Sequence, residues 1–163
     1  MIRCARLDSA AYEQVEHDEN ATAPAAVIVV LAAIASGIGV AQGGLDSVLF
    51  AIVTGLIGWI AYSAIVYFVG TRLFATEATS TSVEELLRTL GFAQAPRLLL
   101  VLGFIPVLGV LIALAVFVWI ILTTVVAIRQ ALDFSTGRAI ATALVAVIVL
   151  VVIQALVLIL FGA

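Results

Sequence analysis

The sequence predicts an all-α membrane protein. The predicted fold is a polytopic helical membrane bundle of about five transmembrane helices, with a short amphipathic cytoplasmic helix between spans two and three. The chain is 65% hydrophobic and only 10% charged, whereas soluble domains are about 45–50% apolar. The charges lie between apolar runs that are long enough to cross the hydrocarbon core. The distribution of arginines also fits five crossings.

Two apolar segments near the N-terminus predict the first helical hairpin. Residues 25–41 form span one, and Pro24 suits the first turn of its helix, where the missing N–H costs nothing. Residues 47–69 form span two, and the sequence QGGLD is the turn between the spans. We expect residues 1–24 to be a cytoplasmic segment and not a signal peptide, because they are acidic and the apolar run starts only near Ala25.

A short amphipathic helix is predicted in the polar stretch between spans two and three. Ser82 and Glu85 match a capping box, and apolar residues then recur at the spacing of one helix face. Gly91 can end this helix. Two placements are open, since the helix can lie on the membrane surface or pack on the bundle as a connector.

The next apolar run, residues 98–128, is too long for one straight span. A single helix of this length would measure about 46 Å, against a hydrocarbon core of about 30 Å. Pro106 and Gly109 in GFIPVLG mark the natural break. The break predicts a short span three at residues 92–105 and a full span four at residues 107–128. A re-entrant half-helix is the alternative for span three.

The last apolar segment, residues 139–161, forms span five, so residues 25–163 are predicted to be one transmembrane domain. With five crossings all seven arginines face the same side, which the positive-inside rule makes cytoplasmic. A four-span chain would send two of them outward. We therefore expect a multi-pass protein of the cell membrane (the inner or plasma membrane if bacterial) with a cytoplasmic N-terminus.

The residues offer little for catalysis or cofactor binding. We find no ionisable residue at mid-membrane, and the one histidine, His17, precedes span one, so neither a proton pathway nor haem ligation is indicated. Glu13, Glu16 and His17 are more typical of a solvated face than of a metal site. The net charge of −3 and the absence of lysine argue against nucleic acid. We expect no enzyme, no catalytic residue, no cofactor and no metal.

Several residues are instead candidates for helix packing or interaction. Gly39 and Gly43 form a GxxxG pair, and Gly55 belongs to another small-residue pair, which lets helix backbones approach closely. Gln154 is the most polar group deep in a span, and pairing with another helix is favoured over a transport role. Trp119, near mid-span, is expected to pack inside the bundle, with a ligand pocket as the alternative. The candidates are Gly39, Gly43, Gly55, Pro96, Pro106, Gly109, Trp119 and Gln154.

Three segments carry a family resemblance: YEQVEHDENATAPAAVIVVLAAIASGIG before and in span one, EELLRTLGFAQAPRLLLVLGFIPVLG in the middle, and VWIILTTVVAIRQAL in span four. On these segments the chain resembles the Yip (Ypt-interacting protein) domain family, specifically its bacterial branch. The resemblance implies five spans, a cytoplasmic N-terminus and no catalytic residues. The eukaryotic relatives bind prenylated Rab-type GTPases through a longer N-terminal region, and we do not carry that function over.

The leading functional hypothesis is a non-enzymatic integral membrane adaptor or accessory subunit that binds other membrane proteins or lipids. The lipid bilayer, other membrane proteins and a second copy of the chain are the expected partners. The alternative is a small transporter or channel in which the broken helix at residues 103–109 lines a cavity.

Overall fold

The computed structural model describes residues 1–39, 45–77 and 79–161. The fold is 86% helical and contains no strand within these described ranges. Two segments are 3₁₀ helices, Glu19–Ala21 and Ala95–Phe104, and we call the second the 3₁₀ span. The α-helices of the described chain are α1 (Ile2–Ala5), α2 (Ser9–His17), α3 (Thr22–Gly39), α4 (Leu45–Arg72), α5 (Val83–Ala93), α6 (Leu108–Ala131) and α7 (Thr136–Phe161).

Five helical stretches of the described residues are long and apolar enough to cross a membrane. The third stretch joins α5 to the 3₁₀ span, and the other four contain α3, α4, α6 and α7. The predicted fold class, an all-α bundle with about five candidate transmembrane helices, is confirmed. The stretches are Glu19–Gly39, Leu45–Arg72, Val83–Phe104, Leu108–Ala131 and Thr136–Leu160.

Helix α5 begins at the predicted capping box. The backbone N–H of Glu85 donates to the Ser82 hydroxyl at 3.2 Å, and the Ser82 N–H donates to the Glu85 carboxylate at 2.9 Å. The helix does not end at Gly91 but continues to Ala93, and Gly91 packs closely on Ala25 of α3. Every residue from Thr89 to Ala93 is buried, so α5 packs on the bundle as a connector.

The 3₁₀ span is unusually long for this type of helix. Its ten residues rise about 20 Å, so it covers more distance per residue than an α-helix. It lies against α3 and α6 at three glycines, Gly39, Gly103 and Gly109, whose backbones touch. A side chain on Gly39 or Gly109 would collide with the backbone of the 3₁₀ span. Because these positions carry no side chain, three helical segments pack closely near the predicted break.

The N-terminal residues fold onto the bundle. Asp8 caps α2 by accepting a hydrogen bond from the Ala11 N–H at 3.3 Å, and its carboxylate pairs with the Arg3 guanidinium at 2.8 Å. Helix α2 packs on α5 and α6, and Cys4 and Tyr12 are fully buried there. The N-terminal segment, which the sequence analysis described as acidic, thus contributes residues to the core.

Candidate functional site

Side-chain donors of α6 hold the ends of two other helices. The indole N–H of Trp119 donates to the carbonyl oxygen of Ala5, the last residue of α1, at 2.6 Å. The Thr123 hydroxyl donates to the carbonyl oxygen of Ala93, the last residue of α5, at 2.9 Å. Carbonyls in the last turn of a helix have no partner within that helix. Helix α6 therefore satisfies these groups and fixes α1 and α5.

Arg88 makes the corresponding contact at the end of α2. Its guanidinium is buried and donates from Nε and Nη2 to the carbonyl oxygen of Glu16, at 3.0 and 2.5 Å. A cation at a helix C-terminus is stabilised by the helix dipole as well as by the hydrogen bonds. Arg88 lies opposite the apolar stripe of α5, yet the structure buries it. The run of small and apolar residues from Thr89 to Ala93 was the signal that this end of the helix is enclosed.

The carboxyl group of Glu16 lies beside this contact. Glu16 is only 6% exposed, and its Oε2 has no hydrogen-bond partner among the described residues. Burial, followed by repulsion from the Glu13 carboxylate, raises the pKa of Glu16 to about 7. Glu16 precedes the first candidate span, so this group titrates at the junction between α2, α5 and the loop that carries Asp133.

A groove opens between α4, the 3₁₀ span, α6 and α7, and we call it the arginine groove. Its volume is about 690 Å³, and Gln94 and Arg97 contribute its charged and amide groups. Arg97 Nη1 donates to Gln94 Oε1 at 3.1 Å. No residue that lines the groove carries a carboxylate. The other lining residues are Tyr62, Leu100, Ala113, Val116, Phe117, Ile120, Ile121, Thr124, Val125, Ala143, Leu144 and Val147.

Arg97 lies within the third candidate span, as the third residue of the 3₁₀ span. It lines the arginine groove together with residues of α6 between Ala113 and Val125 and residues of α7 between Ala143 and Val147. The expectations that no ionisable residue lies at mid-membrane and that all arginines share one surface stay predictions.

The second half of α7 is exposed in the described chain. Every residue from Val151 to Leu160 is exposed, around the full circumference of the helix. Gln154 lies in this stretch, which we call the free half of α7. Its amide has no hydrogen-bond partner among the described residues. That this amide pairs with another helix stays a prediction.

The remaining predicted residues lie at separate places. Gly55 packs against Ala33 and so brings α4 close to α3. Pro96 is buried in the first turn of the 3₁₀ span, and Pro106 lies in the turn before α6. Gly43 lies outside the described residues. The structure thus brings Gly39 and Gly109 together through Gly103. Gly55, Trp119 and Gln154 lie at other positions.

The comparisons with known proteins agree with this architecture. The family model described as the Yip1 domain matches residues 8–159, from the start of α2 almost to the end of α7. Neither the curated proteins nor the solved structures contain a significant match. The Yip1 family is not an enzyme family. The matched residues cover nearly the whole bundle, and the chain belongs to the Yip1 domain family.

Proposed function

We propose that this chain is a non-enzymatic membrane adaptor or accessory subunit whose partner is a transmembrane helix that packs on the free half of α7. One observation carries the proposal. The ten residues from Val151 to Leu160 extend about 15 Å, and every one of them is exposed in the described chain. They present an apolar surface with a single amide, that of Gln154.

Gln154 favours a protein partner over lipid on this surface. Hydrocarbon tails offer no hydrogen bond to an amide, whereas a polar side chain on a second helix does. Such interhelical hydrogen bonds contribute about 0.6–2 kcal/mol within membranes. The surrounding valines, leucines and isoleucines supply the packing area, and Gln154 supplies the register.

The charge distribution supports a cytoplasmic N-terminus for this adaptor. Gly70 packs on Leu132, so Arg72 at the end of α4 and Arg129 at the end of α6 lie at the same end of the bundle. The exposed Arg138 begins α7 at this end as well. The positive-inside rule makes it the cytoplasmic end. We infer a multi-pass protein of the cell membrane, and the segments that resemble the family support its bacterial branch.

The transporter or channel alternative receives less support. It requires residues 103–109 to line a cavity, yet Gly103 and Gly109 pack backbone against backbone. The arginine groove is lined by Leu100 but by none of the residues 103–109. An adaptor moves no solute, so we expect reconstituted liposomes to show no solute flux above that of empty liposomes.

Photo-crosslinking in the native membrane tests the adaptor proposal. A photoreactive amino acid is placed at Leu156 in the free half of α7, or at the similarly exposed Leu111 of α6 as a control. We expect a discrete adduct with one other membrane protein from Leu156 and only lipid adducts from Leu111. Gln154→Leu should abolish the protein adduct, and Gln154→Asn should retain it. Lipid adducts alone at Leu156, or adducts with a second copy of this chain, would contradict the proposal.

A further inference from the structure

We propose that the arginine groove binds a single-chain lipid with an anionic headgroup, with a long-chain carboxylate as the reference ligand. The headgroup binds Arg97, and the acyl chain lies along α6 and α7. This inference goes beyond the adaptor function and does not depend on it, because the groove and the free half of α7 are different surfaces.

The charge of Arg97 is the first argument. A guanidinium has five N–H donors and stays protonated. Among the described residues Arg97 makes one hydrogen bond, to the neutral Gln94 amide, and none of the residues that line the groove carries a carboxylate. A cation within a membrane-spanning segment is costly and needs a counter-charge. An anion that enters the groove supplies this counter-charge.

The distribution of polar groups gives the orientation of the ligand. Tyr62 and Thr124 line the groove toward the end of the bundle that carries Arg129. The Tyr62 hydroxyl donates to the Ala143 carbonyl at 3.5 Å, and the Thr124 hydroxyl can accompany the headgroup. Ala113 and Leu100 line it toward the opposite end. From Thr124 to Ala113 the groove follows α6 for about 16 Å. A small inorganic anion would leave most of this length unfilled, whereas an acyl chain fills it.

The opening of the groove indicates how the ligand enters. Phe117 and Leu144 line the groove and are 66% and 60% exposed, on helix faces turned to the surrounding lipid. A molecule dissolved in the bilayer therefore reaches the groove from the side. The volume of the groove, about 690 Å³, lies within the range of about 300–1,000 Å³ typical of small-molecule sites.

The volume of the groove favours one chain and a small headgroup. A two-chain phospholipid is larger than a groove of about 690 Å³. A fatty carboxylate has one chain and a compact charged group that the Arg97 guanidinium can neutralise.

A photoactivatable palmitate tests this site on the full chain in nanodiscs of neutral lipid. We expect crosslinks to concentrate on groove residues of α6 and α7, and unlabelled palmitate or hexadecyl phosphate to compete for them. Palmitate tests the carboxylate and hexadecyl phosphate tests the phosphate as the source of the anion. Competition by either supports the anionic site. Equal competition by methyl palmitate, which has no charge, would overturn it.

Three variants separate the charge of Arg97 from the shape of the groove. Arg97→Gln should weaken probe binding by about tenfold or more, the loss expected for a charge-assisted hydrogen bond. Arg97→Lys should retain most binding, and Val147→Trp should block it by filling the groove. Arg138→Gln removes an exposed arginine outside the groove and should bind normally. Equal crosslinking of Arg97→Gln and the unsubstituted protein, both monodisperse in nanodiscs, would overturn the proposal.

Discussion

The Arg88 guanidinium donates two hydrogen bonds to the backbone carbonyl of Glu16, which lies 72 residues earlier in the chain. This contact joins the end of α2 to the buried end of α5. Since the acceptor is a main-chain atom, the contact depends on the donor side chain alone. It explains how a polar N-terminal segment becomes part of a membrane bundle.

Replacing Arg88 should release the N-terminal helices. Arg88→Ala removes both donors and leaves the buried Glu16 carbonyl without them, a cost of about 1–3 kcal/mol. We expect faster protease cleavage between α2 and α3, measured in detergent by mass spectrometry of the fragments. Arg138→Ala is the matched control, because Arg138 is exposed. An unchanged cleavage rate in Arg88→Ala would show that the contact does not hold the segment.

Docking of the N-terminal segment should strengthen as the pH falls from 8 to 5. The pKa of Glu16 is about 7 in the folded chain, above its ordinary value of 4.5. A raised carboxyl pKa contributes stability that is fully present below the unfolded value and is lost as the pH rises through about 7. Hydrogen exchange of the α2 amides should therefore be slower at pH 5 than at pH 8, after correction for the intrinsic rate.

Two variants show which side chain causes this pH dependence. Glu16→Gln should remove most of it, because the amide does not titrate. His17 is the other group in this range: its hydrogen bond to the Glu13 carbonyl raises its pKa, so its effect has the same direction. The exposed His17 should contribute less, and His17→Gln should retain most of the pH dependence. If Glu16→Gln and the unsubstituted chain show the same profile, the carboxyl of Glu16 is not the responsible group.

Cys4 provides a native reporter for the position of α1. It is the only cysteine of the chain and is 1% exposed, and burial raises the pKa of its thiol, so we expect slow alkylation by maleimide. Trp119→Phe removes the donor to the Ala5 carbonyl and should accelerate alkylation several-fold. Trp59→Phe removes a comparable bond to the Leu87 carbonyl, away from α1, and should leave the rate unchanged. Equal rates in the two variants would argue against a specific role for Trp119.

Contacts between glycine backbones should make the predicted break intolerant of added side chains. Gly39→Ala places a Cβ against the 3₁₀ span, and overpacking of this kind costs about 1–3 kcal/mol. We expect a lower thermal unfolding midpoint in detergent. Gly58→Ala is the control, because a Cβ there meets no atom within 4 Å and alanine favours the helix. A midpoint that falls equally in both variants would contradict the proposed packing.

The main helices were predictable because their signal is local. A run of apolar residues of membrane-spanning length specifies a helix without reference to its neighbours, and Ser82 and Glu85 marked the start of α5 in the same way. The predicted break also lies near Pro106, where Val107 adopts a positive φ of 65° before α6 begins.

The candidate site was less predictable because its contacts are long-range. The donors Arg88 and Trp119 bond to main-chain carbonyls on distant helices, and neither residue type identifies such an acceptor. Residues Ala95–Phe104 form a 3₁₀ helix that packs on Gly39 and Gly109, and composition does not indicate these contacts. Arg97 was expected on the cytoplasmic side with the other arginines, and no sequence pattern indicated the groove between four helical segments that it lines.

Single-cysteine labelling tests the five-crossing bundle most directly. Cys4 is replaced by serine, and a cysteine is introduced at Val107 in the turn before α6 or at Ser135 in the link before α7, both of which are exposed. A membrane-impermeant maleimide is then applied to sealed vesicles of known orientation. We predict labelling of the two sites from opposite sides, with Ser135 on the cytoplasmic side. Labelling of both from the same side would contradict the account.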